Sequence, residues 1–130
     1  MSNSIRKIMI VDDDIDILTL FTELLTIEGY QVESFDDPRL ALKEFEERND
    51  EYMLIISDIR MPHLSGIDLI KRFAVINNQI PVILMTAFDI SEKDIEEINL
   101  HEFLTKPINM KKLVTIVKRF THNKESKKVD

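Results

Sequence analysis

Several side chains suited to chemistry on a charged group stand at the ends of short apolar stretches. In chain order they are Asp12 and Asp13, Asp58, Thr86 and Lys106. Apolar runs of this length predict strands buried on both faces. In a parallel sheet, neighbouring strands end at the same edge, which borders the crevice where ligands bind. We therefore predict that these five side chains lie close together.

Such a cluster would suit a metal ion and a phosphoryl group. Three carboxylates close together repel one another, and oxygen ligands suit a hard divalent cation such as Mg²⁺. With Lys106, a divalent ion would balance the three negative charges and allow a phosphate to enter. An Asp58 oxygen could then attack an activated phosphoryl group, while Lys106 and the Thr86 hydroxyl stabilise the charge on its oxygens.

Several residues at these strand ends also have a plainer interpretation. An isolated Asp after a strand, such as Asp58, is often a solvated loop residue. Asp14 or Asp16 could cap or charge the first turn of a helix. Thr86 could simply end a strand, and Lys106 could be a surface lysine before a turn. These interpretations account for single residues, but they do not explain why acids, a hydroxyl and an amine all follow predicted strands.

The composition bounds the class of protein. The 130 residues are 44% hydrophobic and 32% charged, as expected of one soluble globular domain. Neither a membrane-length apolar run nor a signal peptide is evident, so a cytoplasmic location is expected. The absence of cysteine excludes disulfides and thiolate metal sites, and His63, His101 and His122 are read as surface residues. Only two glycines leave no phosphate-binding loop of the Walker or dinucleotide type.

The charge is uneven along the chain. The net charge is −7, yet residues 111–130 are basic and the remainder is acidic. A basic tail could contact nucleic acid, but a short lysine-rich terminus is more often solvated chain. We expect no direct binding to nucleic acid.

Predicted strands and helices alternate along the whole chain. This alternation predicts a single α/β domain with a doubly wound, five-stranded parallel sheet and five helices. Right-handed crossovers would place the helices on both faces of the sheet. The domain is predicted over residues 1–122, with a flexible basic tail at 123–130. The predicted strands cover 6–11, 31–35, 52–58, 81–86 and 102–105. The predicted helices cover 15–28, 38–48, 65–77 and 90–98, and the last runs from Asn109 to about Phe120, after which the chain is expected to fray.

These motifs resemble the receiver domain of two-component response regulators. The resemblance covers the chain from about Arg6 to Phe120, with five motifs in the family's order and spacing. They are Asp12-Asp13, the Asp-Ile-Arg-Met-Pro of residues 58–62, Gly66, Thr86-Ala87 and the Phe-Leu-Thr-Lys-Pro of residues 103–107. The resemblance implies a flavodoxin-like sheet with strand order 2-1-3-4-5. It leaves open whether this is a stand-alone receiver or part of a longer chain.

The resemblance implies a role for each acid. Asp58 would be the phosphoacceptor, taking a phosphoryl group from the phosphohistidine of a histidine kinase. Mg²⁺ would be bound by Asp13, Asp58 and the backbone carbonyl of Arg60, and Asp12 would hold metal-bound water. The only reactions expected are self-phosphotransfer and autodephosphorylation, so the protein would be a switch rather than an enzyme that turns over a substrate.

The resemblance also implies how the switch works. Thr86 and Lys106 would contact the phosphoryl group, and Thr86 with Phe103 would form the hydroxyl and aromatic switch. Spacing alone leaves Phe103 equally suited to the core. The Lys106-Pro107 bond resembles the family's cis peptide, and cis bonds are largely confined to X-Pro.

Partners are implied as well. They are a sensor histidine kinase or phosphotransfer protein, a downstream protein target, and a second copy bound through the fourth helix, fifth strand and last helix. That face would pair acids with bases. The acids are Glu92, Asp94, Glu96 and Glu97, and the bases are Lys111, Lys112, Lys118 and Arg119.

Some positions depart from the family pattern. Asn99-Leu100 stands where Gly-Ala is frequent, and Ser65 stands where Asp is frequent, although capping is retained. In this family, the positions of Arg60 and Phe88 tune how water reaches the acyl phosphate. A bulky Phe88 predicts a long-lived phosphorylated form.

Two other classes of protein are partly compatible with the sequence. A metal-dependent phosphohydrolase with an Asp nucleophile also places acids on a parallel sheet, usually as Asp-x-Asp-x-Thr after the first strand. Here Asp12 to Asp16 contains Asp14, but Asp16 replaces the Thr, and no cap insertion is present. A binding scaffold without phosphorylation is disfavoured because every position needed for the chemistry is occupied by a competent residue.

Overall fold

The computed structural model describes residues 6–87 and 102–129, with side chains described up to Thr121. The predicted helix at 90–98, the departure at Asn99-Leu100, and residues Phe88 and His101 lie outside these ranges. So do the four acids predicted for the dimer face.

Five parallel strands form one sheet in the order β2-β1-β3-β4-β5, which confirms the predicted fold class. Each strand is short and rich in Ile, Val, Leu or Phe, and the central ones are buried on both faces. The strands are β1 Lys7–Val11, β2 Gln31–Phe35, β3 Tyr52–Asp58, β4 Val82–Thr86 and β5 Glu102–Thr105.

Four α-helices lie within the described residues, and a 3₁₀ turn at Asn49–Glu51 leads into β3. They are α1 Ile15–Ile27, α2 Pro38–Arg48, α3 Gly66–Ile76 and α4 Met110–Val129. Among the residues that the structure covers, no helix combines the length and apolarity needed to cross a membrane.

Helix α4 is longer than the sequence predicts. It continues to Val129 instead of ending near Phe120. The residues after Phe120 contain neither Gly nor Pro, and Lys and Glu among them favour helix, so nothing local ends it. The division between domain and flexible tail at residues 122 and 123 stays a prediction.

Polar side chains begin the helices as the sequence predicts. Asp14 caps α1, Ser65 caps α3 through the backbone N–H of Asp68, and Asn109 accepts from the N–H of Lys112 at the start of α4. Helix α1 ends at Ile27, and Gly29, two residues later, has a φ of 100° in the left-handed region. The N–H groups of Gly29 and Tyr30 close this end by donating to the carbonyls of Thr26 and Leu25, and the connection to β2 is therefore tight.

The sheet separates two apolar cores. Ile8 and Ile10 of β1 face α1 and α4, whereas Met9 and Val11 face α2 and α3. On the second side, the rings of Phe45 and Phe73 stack with centroids 4.0 Å apart. Burying such a side chain stabilises the fold by roughly 1.5–3 kcal/mol. Packing on both faces therefore fixes the sheet and the positions of its strand ends.

Candidate functional site

Strand register brings the ends of β1, β3, β4 and β5 to one edge of the sheet. Val11 pairs with Ser57, Asp58 with Met85, and Thr86 with Thr105. Asp12 follows Val11 directly, and Lys106 follows Thr105. The predicted site residues on these strands therefore lie within one or two residues of the same register position at the carboxyl edge of the sheet.

The three acids form a cluster at this edge. One carboxylate oxygen from each of Asp12, Asp13 and Asp58 lies within 4.8 Å of the others. Asp12 is fully buried and Asp58 is 7% exposed, whereas Asp13 is exposed to solvent. The cluster is therefore open to solvent on one side and enclosed on the other.

Lys106, directly after the edge strand β5, reaches the two buried acids. Its Nζ lies 3.0 Å from Oδ2 of Asp12 and 3.2 Å from Oδ2 of Asp58. Its backbone N–H donates to the carbonyl of Thr86 at 2.7 Å, and the bond to Pro107 is cis, as the family resemblance implies. The plainer interpretation of Lys106 as a surface lysine is therefore wrong.

Burial and neighbouring charges shift the pKa values of Asp12 and Lys106. Burial raises the pKa of Asp12 to about 6, and the charge of Asp58 adds to this, although hydrogen bonds from Asp14 and Lys106 oppose it. Burial alone would lower the pKa of Lys106. The hydrogen bond and charge of Asp12, together with the charge of Asp58, outweigh burial and raise it. Lys106 therefore remains protonated between two acids.

Backbone groups fix the position of Asp58. Its Oδ1 accepts from the N–H of Ile59 at 2.8 Å, and the Ile59 carbonyl accepts from the N–H of Gly66 at 2.8 Å. A Cβ on Gly66 would overlap the carbonyl oxygen of Asp58. The hydroxyl of Ser57 donates to the same carbonyl at 2.9 Å. The family resemblance singles out Gly66, but the contacts that require a glycine there could not be predicted from the sequence.

Of the other predicted site residues, the structure describes Thr86, Phe103 and Arg60. Thr86 is buried at the end of β4, and Phe103 is half-buried against the core beside α2 and α3. Arg60 follows Asp58 by two residues, and its side chain is exposed. Phe88 lies outside the described residues.

The donor set fits a hard divalent cation. Three carboxylates supply only oxygen ligands, one of them from an exposed residue, and Mg²⁺ favours such sites while keeping several waters. Burial raises the pKa of Asp12 even though Lys106 opposes this shift. A divalent ion would supply the missing positive charge.

Comparison with known proteins identifies relatives over most of the chain. The family model described as the response regulator receiver domain matches residues 8–118. The chain is 32% identical over 117 residues to a transcriptional regulatory protein, a CpxR homolog of Haemophilus influenzae, covering 86% of the chain and 48% of the relative. It is 34% identical over 125 residues to ZraR of Escherichia coli O157:H7, covering 94% of the chain and 28% of that protein. The chain thus spans half or less of the length of these relatives.

Solved structures agree with this assignment. A CheY-like receiver domain protein from Methanospirillum hungatei superposes with a TM-score of 0.85 at 26% identity, covering 95% of this chain and 99% of that one. The response regulator TrrA of Thermotoga maritima, solved in complex with Mg²⁺ and BeF, gives a TM-score of 0.79 at 31% identity, covering 89% and 99%. From its matched residues and its fold, the chain belongs to the response regulator receiver domain family.

Proposed function

We propose that Asp58 is the phosphoacceptor of this receiver domain. The observation that carries the proposal is the cluster of three carboxylates within 4.8 Å of one another, with the Lys106 amine bridging Asp12 and Asp58. Asp58 stands at the centre, at the end of the middle strand β3. Its Oδ1 is held by a backbone N–H while its Oδ2 faces Lys106, so the carboxylate has a fixed orientation.

The phosphoryl donor is the phosphohistidine of a sensor histidine kinase or of a phosphotransfer protein. An Asp58 oxygen attacks the phosphorus, the bond from phosphorus to the histidine nitrogen breaks, and an acyl phosphate forms on Asp58. Lys106 and the Thr86 hydroxyl contact the transferred oxygens. The location of both residues at the ends of neighbouring strands supports this role.

Asp12, Asp13, Asp58 and the backbone carbonyl of Arg60 would hold Mg²⁺. When bound, the ion neutralises charge on the phosphoryl oxygens and on the three carboxylates. Asp13 contributes the ligand that is exposed to solvent. The chain itself contributes the orientation of Asp58 and the fixed amine of Lys106.

Phosphorylation then acts on the face formed by β5, α4 and the predicted helix at 90–98. The added negative charge draws the Thr86 hydroxyl toward the phosphoryl group, and Phe103 turns inward. The half-buried state of Phe103 on β5 supports this assignment, because its ring is neither locked in the core nor free in solvent. The downstream target would bind at this face.

Intact-mass measurement tests the assignment of Asp58. With acetyl phosphate and Mg²⁺, the wild-type chain should gain the mass of one phosphoryl group, and Asp58→Asn should gain none. Asp50→Asn is the matched control, because Asp50 is exposed in the turn at the opposite end of β3. Phosphorylation of Asp58→Asn at the wild-type rate would contradict the proposal.

The comparisons give no support to the phosphohydrolase alternative. A multiple-turnover assay with a generic phosphate ester separates the two classes. We expect at most the slow loss of the single phosphoryl group that acetyl phosphate supplies.

The lifetime of the acyl phosphate is a further prediction, resting on Phe88 and Arg60. A bulky aromatic side chain two residues after Thr86 would restrict the approach of water to the phosphorus. We expect Phe88→Glu to lose its phosphoryl group faster than wild type, measured by intact mass after removal of acetyl phosphate. A loss no faster than that of wild type would contradict it.

A further inference from the structure

Helix α1 carries an apolar stripe on its outer surface. Leu20 is 49% exposed and Ile27 is 80% exposed, and both lie in the same helical row as the half-buried Leu24. A single exposed leucine on a surface helix is ordinary. Two large exposed apolar side chains in one helical row, beside a groove, form a contiguous apolar surface, which in a folded protein often marks a binding site.

The groove lies between α1 and α4. It has a volume of about 320 Å³ and an apolar floor made by Leu24, Met110 and Val114. Its rim is charged, with Glu28 on the α1 side and Lys111 on the α4 side. The stripe and the groove are therefore adjacent on one side of the molecule.

Charge is distributed with opposite sign on the two helices. The outer surface of α1 carries Asp16 and Glu23, both exposed, whereas the neighbouring side of α4 carries Lys111 and Lys118. Lys118 already pairs with Glu28 of α1 at 3.2 Å within the same chain. The surface thus contains both an acidic and a basic half, separated by apolar side chains.

We propose that this surface, the α1/α4 face (Leu20, Leu24, Ile27, Met110 and Val114), binds the same face of a second copy of this chain. In a two-fold dimer, if residue i of one copy contacts residue j of the other, then residue j of the first copy contacts residue i of the second. The surface must therefore complement itself. The stripe of each copy fills the groove of the other, and the acids of each α1 face the lysines of the other α4. A partner of uniform charge would match only half of this face.

This face differs from the dimer face predicted from the sequence. On the opposite side of α4, Arg119 lies 3.7 Å from Glu102 of β5, and Lys112 shares its helical row. Lys111 and Lys118 point toward α1 instead. Separate charge reversals on the two sides of α4 therefore distinguish the two faces.

Sedimentation velocity of the full chain, up to high micromolar concentration, is the primary test. We expect a monomer–dimer equilibrium in wild type and a dissociation constant raised by about tenfold or more in Leu20→Glu and in Ile27→Glu. Val75→Glu is the matched control, because Val75 is 88% exposed on α3, away from this face. It should associate as wild type does, and circular dichroism should show all three variants folded.

A charge exchange tests the pairing across the interface. Glu23→Lys and Lys111→Glu should each weaken association, and the double variant should recover most of it, because both members of this charge pair change sign together. Arg119→Glu should leave association unchanged.

Three results would overturn the proposal. Wild type could remain monomeric throughout the concentration range. Ile27→Glu could behave like Val75→Glu, or Arg119→Glu could abolish association while Lys111→Glu does not, which would assign the interface to the β5 side. A monomeric wild type whose phosphotransfer from a histidine kinase is slowed by Ile27→Glu would assign the face to the kinase instead.

Discussion

Gly66 allows the loop after Asp58 to return against the end of β3. A Cβ at this position would overlap the carbonyl oxygen of Asp58 and lie 2.9 Å from Cα of Ile59. Both atoms belong to backbone that cannot move without moving Asp58. We expect Gly66→Ala to lower the free energy of unfolding by about 1–3 kcal/mol and to slow phosphorylation of Asp58 several-fold, measured by urea unfolding and by intact-mass time courses.

Gly29→Ala provides the control for that substitution. Gly29 has a φ of +100°, but no atom lies within 4 Å of an added Cβ. Its cost, about 1–2 kcal/mol, comes from the left-handed backbone alone. Phosphorylation should proceed at the wild-type rate, and equal slowing in both variants would show that lost stability, not the position of Asp58, explains the effect of Gly66→Ala.

Lys106 supplies the only positive side chain that contacts Asp12 and Asp58 among the described residues. Lys106→Met keeps the aliphatic length but leaves two buried carboxylates without their partner. We expect the free energy of unfolding to fall by about 1–3 kcal/mol at neutral pH. The loss is limited because Asp12, whose pKa is already raised to about 6, can take up a proton instead. Urea unfolding measures the change.

Lys112→Met is the matched control for this prediction. Lys112 is exposed at the start of α4, so its replacement should change stability by no more than about 0.5 kcal/mol. A Lys106→Met variant as stable as Lys112→Met would mean that the two acids need no counter-charge in the folded protein.

At the scale of single elements, the start of α1 is tied to the acid cluster. The Asp14 carboxylate accepts from the N–H groups of Asp16 at 3.0 Å and Ile17 at 3.3 Å, while the backbone N–H of Asp14 donates to Oδ1 of Asp12. We expect Asp14→Ala to destabilise the protein by about 1 kcal/mol and Asp14→Ser, which retains a capping oxygen, to recover most of that loss. Thermal unfolding checks the order, and a serine variant no better than alanine would exclude capping as the cause.

The elements themselves could largely be predicted from the sequence. Apolar runs and capping residues placed the strands and the starts of α1, α3 and α4 within a residue or two, because these signals are local. The end of α4 could not be predicted in this way. Its polar residues after Phe120 suggested frayed chain, yet they are compatible with helix, and composition alone does not separate the two.

At the scale of the whole molecule, the site joins residues that are distant in the sequence. Lys106 contacts Asp12, which lies 94 positions earlier, and Asp58, which lies 48 positions earlier. Topology made their convergence predictable, since parallel neighbouring strands end together. The individual distances between these side chains could not be predicted from the sequence. The overlap avoided by Gly66 and the raised pKa of Asp12 depend on packing and desolvation, which no local pattern reports.

Because the three clustered acids lie at the ends of β1 and β3, Mg²⁺ bound by them would stabilise the entire fold. An ion that binds only the native state adds about 1.4 kcal/mol at ten times its dissociation constant. We expect MgCl₂ to raise the midpoint of thermal unfolding of wild type more than NaCl of equal ionic strength does, since general screening acts equally in both. Asp13→Asn should lose most of this difference, because it removes the exposed carboxylate of the cluster without leaving a buried charge unpaired.

Asp16→Asn separates the cluster from the acidic surface around it. Asp16 is exposed in the first turn of α1, three residues beyond Asp13, and is not one of the three clustered acids. It should therefore keep the full response to Mg²⁺. If Asp13→Asn and Asp16→Asn responded alike, the ion would be acting on the general negative charge of the molecule, −7 overall, and the three-carboxylate site would have no specific affinity for it.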